Sequence, residues 1–224
     1  MKARIAEIFV SIQGEGLYVG KQQIFVRFYG CNLNSCRFCD TRLHSFKEYE
    51  PYDLFDYLKS DFSGCRFISL TGGEPLVQRD FLKEFLPLIK KTGFKTYLET
   101  NATLPEALRQ VVNYIDIIAL DFKFPSSTGL RGFWQEHRDF LKIASLKEAF
   151  VKAVICNETD LADLNKALQL LSDFDRDIPF ILQPNSYEDN ELLRNKIREF
   201  HRFSLKFLSD VRIIPQTHKI IGIK

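Results

Sequence analysis

Short apolar runs alternate with amphipathic ones along the whole chain, and no repeat, low-complexity tract or linker interrupts them. The runs Ile24–Tyr29, Arg66–Leu70, Lys95–Glu99, Ile115–Asp121, Ala149–Ile155, Phe180–Leu182 and Val211–Ile214 have strand length and composition. Between them, Leu161, Leu164, Leu168 and Leu171 recur at helical spacing, as do Leu193, Ile197 and Phe200. Strict alternation of strand and helix predicts an α/β fold with a parallel sheet and helices outside it. With about six βα units and no Gly-x-Gly-x-x-Gly turn, the expected form is an incomplete TIM-type barrel rather than a doubly wound sheet.

The polar residues reinforce this expectation, because they fall where predicted strands end. Cys31 follows the first strand and Thr71-Gly72-Gly73-Glu74-Pro75 the second. Glu99-Thr100-Asn101, Asp121-Phe122-Lys123 and Gln183-Pro184-Asn185-Ser186 continue the series. In α/β barrels the carboxyl ends of the strands form the active face, so groups from five strands imply one shared site.

Composition narrows the classes. At 224 residues and 45% hydrophobic content, the chain can bury a full core, and residues 1–224 are expected to form a single domain. Lys plus Arg number 31 against 29 Asp plus Glu, so no charge excess points to nucleic acid or a membrane surface. No apolar run approaches the roughly 20 residues of a membrane span, and Met1-Lys2-Ala3-Arg4-Ile5 lacks signal-peptide character. Five cysteines, an odd and clustered set, suit metal ligation in a reducing compartment, with cytoplasm as the expected location.

Cys31, Cys36 and Cys39 carry the sharpest chemistry. Three thiolates on one loop can hold three irons of a four-iron, four-sulfur cube and leave the fourth iron open. With His44 the same loop could instead hold structural zinc as a Cys3His set. Thr71–Pro75 tips the balance to iron–sulfur: its glycines allow a close backbone approach by a small polar ligand, and Glu74 can accept from an ammonium. Cys65 and Cys156 sit in apolar contexts and read as inert core thiols.

The cysteine loop and the Gly-Gly-Glu-Pro turn together resemble the radical S-adenosylmethionine superfamily, although x4 and x2 spacing replaces that superfamily's usual x3 and x2. Ser11-Ile12-Gln13-Gly14-Glu15-Gly16, Phe25-Val26-Arg27-Phe28, Gly30-Cys31-Asn32-Leu33, Phe38-Cys39-Asp40-Thr41 and the ending Gln216-Thr217-His218-Lys219 narrow the resemblance. In that order they are similar to the 7-carboxy-7-deazaguanine synthases of the queuosine pathway, which supplies a tRNA modification. The resemblance covers nearly the whole chain. It implies a carbon–nitrogen lyase that contracts the ring of 6-carboxy-5,6,7,8-tetrahydropterin through a radical, with loss of ammonia. It also implies a [4Fe-4S] cluster on Cys31, Cys36 and Cys39, adenosylmethionine used catalytically, Mg2+ on Thr41, a flavodoxin- or ferredoxin-type electron donor and a homodimer.

Carried over residue by residue, the resemblance places adenosylmethionine on Phe38, Asp40, Gly73, Glu74, Asp121, Phe122, Lys123, Gln183, Pro184, Asn185 and Ser186. It places the pterin on Ile12, Gln13, Gly14, Arg27, Thr71 and the terminal Lys224. Arg27 offers a planar fork for the substrate carboxylate. The family's Ser-Pro-Lys is Asp121-Phe122-Lys123 here, so the lysine alone carries over, and its terminal proline is Lys224. Two other readings stand beside this one: a glycyl-radical-enzyme activase or other short radical enzyme, and a non-catalytic zinc-binding protein.

Overall fold

The computed structural model describes residues 1–33, 36–41, 43–62 and 64–223. In chain order the elements are β1 (Ala3–Ile12), β2 (Gln22–Phe28), β3 (Lys47–Tyr49), α1 (Pro51–Asp61), β4 (Phe67–Gly72), α2 (Arg79–Lys90), β5 (Lys95–Thr100) and α3 (Pro105–Val111). There follow β6 (Ile117–Asp121), α4 (Pro125–Thr128), α5 (Trp134–Ala144), β7 (Glu148–Ile155), α6 (Leu161–Phe174), β8 (Phe180–Pro184), α7 (Glu191–Ser204), β9 (Val211–Ile213) and α8 (Thr217–Ile221).

The strands make one sheet in the order β3-β1-β2-β4-β5-β6-β7-β8-β9. From β2 through β9 every neighbouring pair is parallel. Helices α1, α2, α3, α5, α6 and α7 bridge successive parallel strands, which gives six βα units and a partial barrel, as expected. The two strands absent from the sequence prediction are β1, antiparallel to β2, and β3, antiparallel to β1. A register shift between Ile5 and Glu7 breaks the period-2 pattern of β1, which hides it from a reading by alternation.

Period-2 alternation sends the two faces of each parallel strand to different cores. Ile24, Val26, Phe28, Ile68, Leu70, Leu98, Ile118, Leu120, Val151, Ala153, Phe180 and Leu182 face the helices and join one large apolar cluster. The intervening Tyr97, Ile117, Ala119, Phe150 and Ile181 form a small second cluster inside the curve of the sheet, with Leu17 and Tyr18 against it. Each fully buried Leu, Ile or Phe contributes roughly 1.5–3 kcal/mol, so the helix-facing core dominates stability. Asp160 accepts from the Asp163 amide at 2.8 Å and Asn190 from the Leu193 amide at 2.9 Å, capping α6 and α7 as short polar side chains do. Cys65 and Cys156 are both buried, in keeping with core thiols. No helix among the described residues is long and apolar enough to cross a membrane.

Candidate active site

Above the inner apolar cluster the concave face turns polar, because Arg27, Thr71, Glu99, Asp121, Lys152 and Gln183 point inward near the strand ends, with Val154 the one apolar position beyond Lys152. Two adjoining cavities open there. The first, about 160 Å³, is bordered by Cys31, Cys36 and Cys39 together with Gly73, Lys123 and Asn185. The second, about 250 Å³, is bordered by Ile12, Gln13, Gly14, Arg27, His218 and Lys219. Glu15, Asp40, Thr41, Thr71 and Glu99 line both, forming the wall between them.

The glycine turn after β4 sets the position of the cysteine loop. Gly72 has φ +107°, and a Cβ there would meet the Phe28 carbonyl oxygen at 2.5 Å. At Gly73 a Cβ would lie 2.0 Å from the Gly30 carbonyl oxygen. The Gly73 amide donates to Phe28 O and the Glu74 amide to Gly30 O, both at 2.9 Å. The close approach predicted for a ligand is therefore made by the chain's own backbone just before Cys31, with Gly73 still bordering the cavity.

Glu74 corrects a second expectation. It is fully buried and accepts from Leu76 N at 3.1 Å, Asn101 N at 2.8 Å and Thr100 Oγ1 at 2.9 Å. Burial, only partly offset by those donors, pushes its carboxyl up to about 7. Its side chain braces the turn and is not open to the ammonium of a ligand. Phe122 also departs from its expected role: its ring is 1% exposed and stacks on His137 with centroids 4.2 Å apart, on the helix side of the sheet. Pro184 is the last residue of β8, paired with Ile155, and does not border the cavity. Ser186 is exposed and donates to Gln216 Oε1 at 2.6 Å. Lys224 lies outside the described residues.

A buried charge network fills the cavity wall. Lys152 Nζ bonds Glu15 Oε2 and lies 3.2 Å from Asp121 Oδ2, which also receives Lys123 Nζ at 2.9 Å. Burial alone would lower Lys152, but Asp121, Glu15 and Glu99 outweigh it and hold the ammonium above its usual range. Burial would likewise raise Asp121, yet Lys123 and Lys152 keep it below the ordinary carboxylate range. Glu99 goes the other way: burial and then the Glu15 charge raise it, although it accepts from Gln13 Nε2 at 2.7 Å and Thr71 Oγ1 at 2.8 Å. One wall thus carries a carboxylate held ionised, Glu15, beside one displaced toward its protonated form, Glu99.

The carboxyl-terminal segment runs along both cavities, Gln216 at the first and His218 and Lys219 at the second. Gln216 Nε2 donates to Glu15 Oε1 at 2.6 Å, and Lys219 Nζ bonds Asp40 Oδ2 at 2.6 Å. The Thr217 amide donates to Gly14 O at 2.8 Å, and a Cβ on Gly14 would meet His218 Nδ1 at 2.1 Å. Across the cavity Arg27 lies over the Phe9 ring, with Nε 3.3 Å from Glu7 Oε2.

Of the expected residues, the structure brings Phe38, Asp40, Gly73, Asp121, Lys123, Gln183 and Asn185 to the cysteine cavity. Ile12, Gln13, Gly14, Arg27 and Thr71 border its neighbour, and Thr41 borders both. The three thiols share the first cavity without forming a ready ligand tripod: no group of three His, Cys, Asp or Glu among the described residues stands at metal-holding spacing. Burial raises the Cys36 thiol while Lys123 opposes it, so positive charge already faces this loop. The donor set fits an iron–sulfur cube, being all sulfur with a cation beside it. His44 is exposed and borders neither cavity, which weakens the zinc alternative.

Sequence reasoning placed Glu99 on the shared strand-end face but gave it no ligand, and assigned no site role to Lys152, Glu15, Gln216, His218 or Lys219. Lys152 had a usable signal, a lone lysine in Ala149–Ile155, a strand otherwise apolar. The others lay inside quoted motifs but gained meaning only from their partners.

Comparison with known proteins defines the family. The family model described as the radical SAM superfamily matches residues 25–156. The chain is 36% identical to the 7-carboxy-7-deazaguanine synthase of Geobacter sulfurreducens, covering 98% of this chain and 97% of that one. It is 33% identical to the synthase of the same name from Archaeoglobus fulgidus, with both chains fully covered at 100%. The chain therefore belongs to the radical SAM superfamily and, within it, to the 7-carboxy-7-deazaguanine synthase family. The crystal structure of QueE from Escherichia coli shares the fold, with a TM-score of 0.68 at 21% identity over 97% of this chain and 95% of that one. Streptococcus suis SuiB bound to S-adenosylmethionine shares it at 0.57 and 18% identity, over 82% of this chain and 44% of that one. The chain is a radical SAM enzyme of 7-deazapurine and queuosine biosynthesis.

Proposed function

We propose that the chain converts 6-carboxy-5,6,7,8-tetrahydropterin to 7-carboxy-7-deazaguanine, with adenosylmethionine in the cysteine cavity and the pterin in its neighbour. The observation that carries this reading is the shared wall of Glu15, Asp40, Thr41, Thr71 and Glu99, which would keep two small ligands in contact. Cys31, Cys36 and Cys39 would hold a [4Fe-4S] cluster. Cluster and adenosylmethionine, when bound, supply the radical chemistry.

The chain's own residues bind and orient. Lys123 and Asp121 present opposite charges to the amino and carboxylate ends of an amino acid, while Gln183 and Asn185 border the same space. Arg27 and Lys219 offer cations to a pterin carboxylate. Glu99 and Gln13 offer an acceptor and an amide to a ring that carries both donors and acceptors. Because Glu99 is raised, it can hold a proton at its Oε atoms at a pH where Glu15 cannot. Thr41, between the cavities, would offer its hydroxyl to Mg2+, a cation that prefers oxygen donors. His218 and Lys219 border the pterin side.

The same reading includes an external flavodoxin- or ferredoxin-type donor, a homodimer and a cytoplasmic setting. The activity in this reading is supported by relatives of the same name along the full chain. The test is anaerobic incubation with the carboxy-pterin, adenosylmethionine and a reductant, followed by mass spectrometry. The expected product has lost ammonia from the pterin, with adenosylmethionine unconsumed. A colourless, iron-free protein, or modification of a polypeptide with no change in the pterin, would overturn the assignment.

A further inference from the structure

The wall behind Cys31 contains a closed ring of polar side chains. Asn101 is 6% exposed, and its Nδ2 lies 3.9 Å from Cys31 Sγ and 2.9 Å from Asn32 Oδ1. Asn32 Nδ2 donates to Thr103 Oγ1 at 2.8 Å, and Thr103 Oγ1 donates back to Asn101 Oδ1 at 2.6 Å. The Thr103 amide gives Asn101 Oδ1 a second donor at 3.1 Å. With two donors on that oxygen, a flipped carboxamide would set N–H against N–H, so the amide nitrogen must face the sulfur. The main chain of Asn101 is held as firmly. Its N–H donates to Glu74 Oε2 at 2.8 Å, and its carbonyl receives His137 Nε2 at 3.3 Å. The Leu33 amide points at the same sulfur from 3.4 Å. Among the described residues, Cys31 is the one of the three loop thiols with amide donors aimed at it.

We infer that Asn101 is a tuning and positioning residue: its amide, locked by Thr103 and Asn32, donates to the Cys31 sulfur and eases one-electron reduction of a cluster held there. The inference rests on the cluster assignment proposed above. Reduction adds one electron from the external donor to the cluster, with no bond broken and no proton required. The added charge spreads onto the cysteine sulfurs, where an N–H donor stabilises it more than the oxidised state. Removing the donor therefore makes the potential more negative. Outer hydrogen-bond partners of this kind also hold ligand orientation, and their loss usually costs 10–100-fold in affinity or activity.

The experiment is a spectroscopically monitored redox titration of anaerobically reconstituted protein, with iron and sulfide per chain measured on the same samples. Asn101→Asp keeps the shape and the oxygen that Thr103 bonds but replaces the donor by a carboxylate oxygen. At least a tenfold loss in the reduction equilibrium is expected, about 59 mV more negative for one electron. Thr103→Val leaves Asn101 in place but removes the hydroxyl that orients it, and should shift the potential the same way by less. Thr103→Ser, which restores the hydroxyl, should return the wild-type value. This graded order separates tuning from a merely structural role. Should Asn101→Asp not load a cluster, the Thr103 pair decides: equal potentials in the valine and serine variants would overturn the inference. Unchanged potentials in all three loaded variants would overturn it too, leaving the proposed function standing. A wild-type chain that holds no iron–sulfur cluster would remove both.

Discussion

The two faces of the same parallel strands make opposite use of burial. On the helix side, Leu98, Leu120 and Val151 are fully buried in an apolar core. One residue away on the concave side, Glu99, Asp121 and Lys152 face the cavities. The first face stabilises by removing hydrocarbon from water; the second spends part of that stability on desolvating charges. Function is confined to the few inward positions at the carboxyl end, because deeper inward positions are Tyr97, Ile117, Ala119, Phe150 and Ile181.

The largest effect that would test this division is at the thiols. Alanine at Cys31, Cys36 or Cys39 should abolish iron binding and turnover, since each thiolate would hold a different iron. Alanine at the buried Cys65 or Cys156 should leave iron per chain unchanged. Full iron in Cys36→Ala would erase the distinction between the two sets of cysteines.

Next in size, Lys152→Met should destabilise the fold by about 3–5 kcal/mol, because it leaves the buried Glu15 with no cation and facing the Asp121 charge, which keeps only Lys123. Adding Asp121→Asn should recover part of that loss in a double-mutant cycle of urea unfolding. Leu98→Ala on the opposite face should cost a comparable 2–5 kcal/mol, with no coupling to Asp121→Asn. Additivity at Lys152 would mean the network is not one unit.

The pH dependence sharpens the comparison at the boundary between the faces. Burial lowers His137 from 6.5 to about 4, so the unfolded chain binds its proton first as pH falls. Its contribution is present above pH 6.5 and is lost on acidification toward pH 4, about 3 kcal/mol in all. Glu74, raised from 4.5 to about 7, has the opposite sign, and its contribution is lost as pH rises through that interval. The two slopes oppose each other between pH 4.5 and 6.5. His137→Phe should make stability fall with rising pH there, and Glu74→Gln should make it rise, as read from unfolding midpoints. Parallel profiles for both variants would show that neither group titrates as stated.

The smallest effect lies at Arg27. Its side chain is 28% exposed, so Arg27→Met should weaken pterin binding by about 2 kcal/mol, the low end for orphaning a bound carboxylate. Arg27→Lys should rescue part of this, as a point charge replacing a fork. Adenosylmethionine binding should not change. Equal pterin affinity in all three proteins would move the carboxylate partner to Lys219 or His218.

Much of the fold was legible from local pattern. The seven predicted strands occur within a residue or two of their expected limits, because strand-length apolar runs bounded by polar turns have few other solutions. β1 was missed because its bulge breaks alternation, and β3 because three residues carry no periodic signal. At the candidate site, the thiols, Gly73, Lys123, Arg27 and Thr41 were picked out by motif identity, and they border the two cavities. Glu74 and Phe122 were misassigned because motif membership does not say which way a side chain points: one braces the turn and the other stacks on His137. Lys152 was missed because it stands alone, and its partners Glu15 and Asp121 come from 137 and 31 residues away.

By itself, then, the sequence determined the periodicities, and with them the βα alternation, the two-faced strands and the placing of polar groups at strand ends. These are local properties, set by backbone geometry and the hydrophobic effect within one element. Tertiary structure alone decided which of those polar groups meet. It pressed Gly73 against Gly30, closed the Asn101–Asn32–Thr103 ring behind Cys31, and brought Gln216 across to Glu15. Charges and hydrogen bonds act over a few ångströms of space, whatever their separation along the chain.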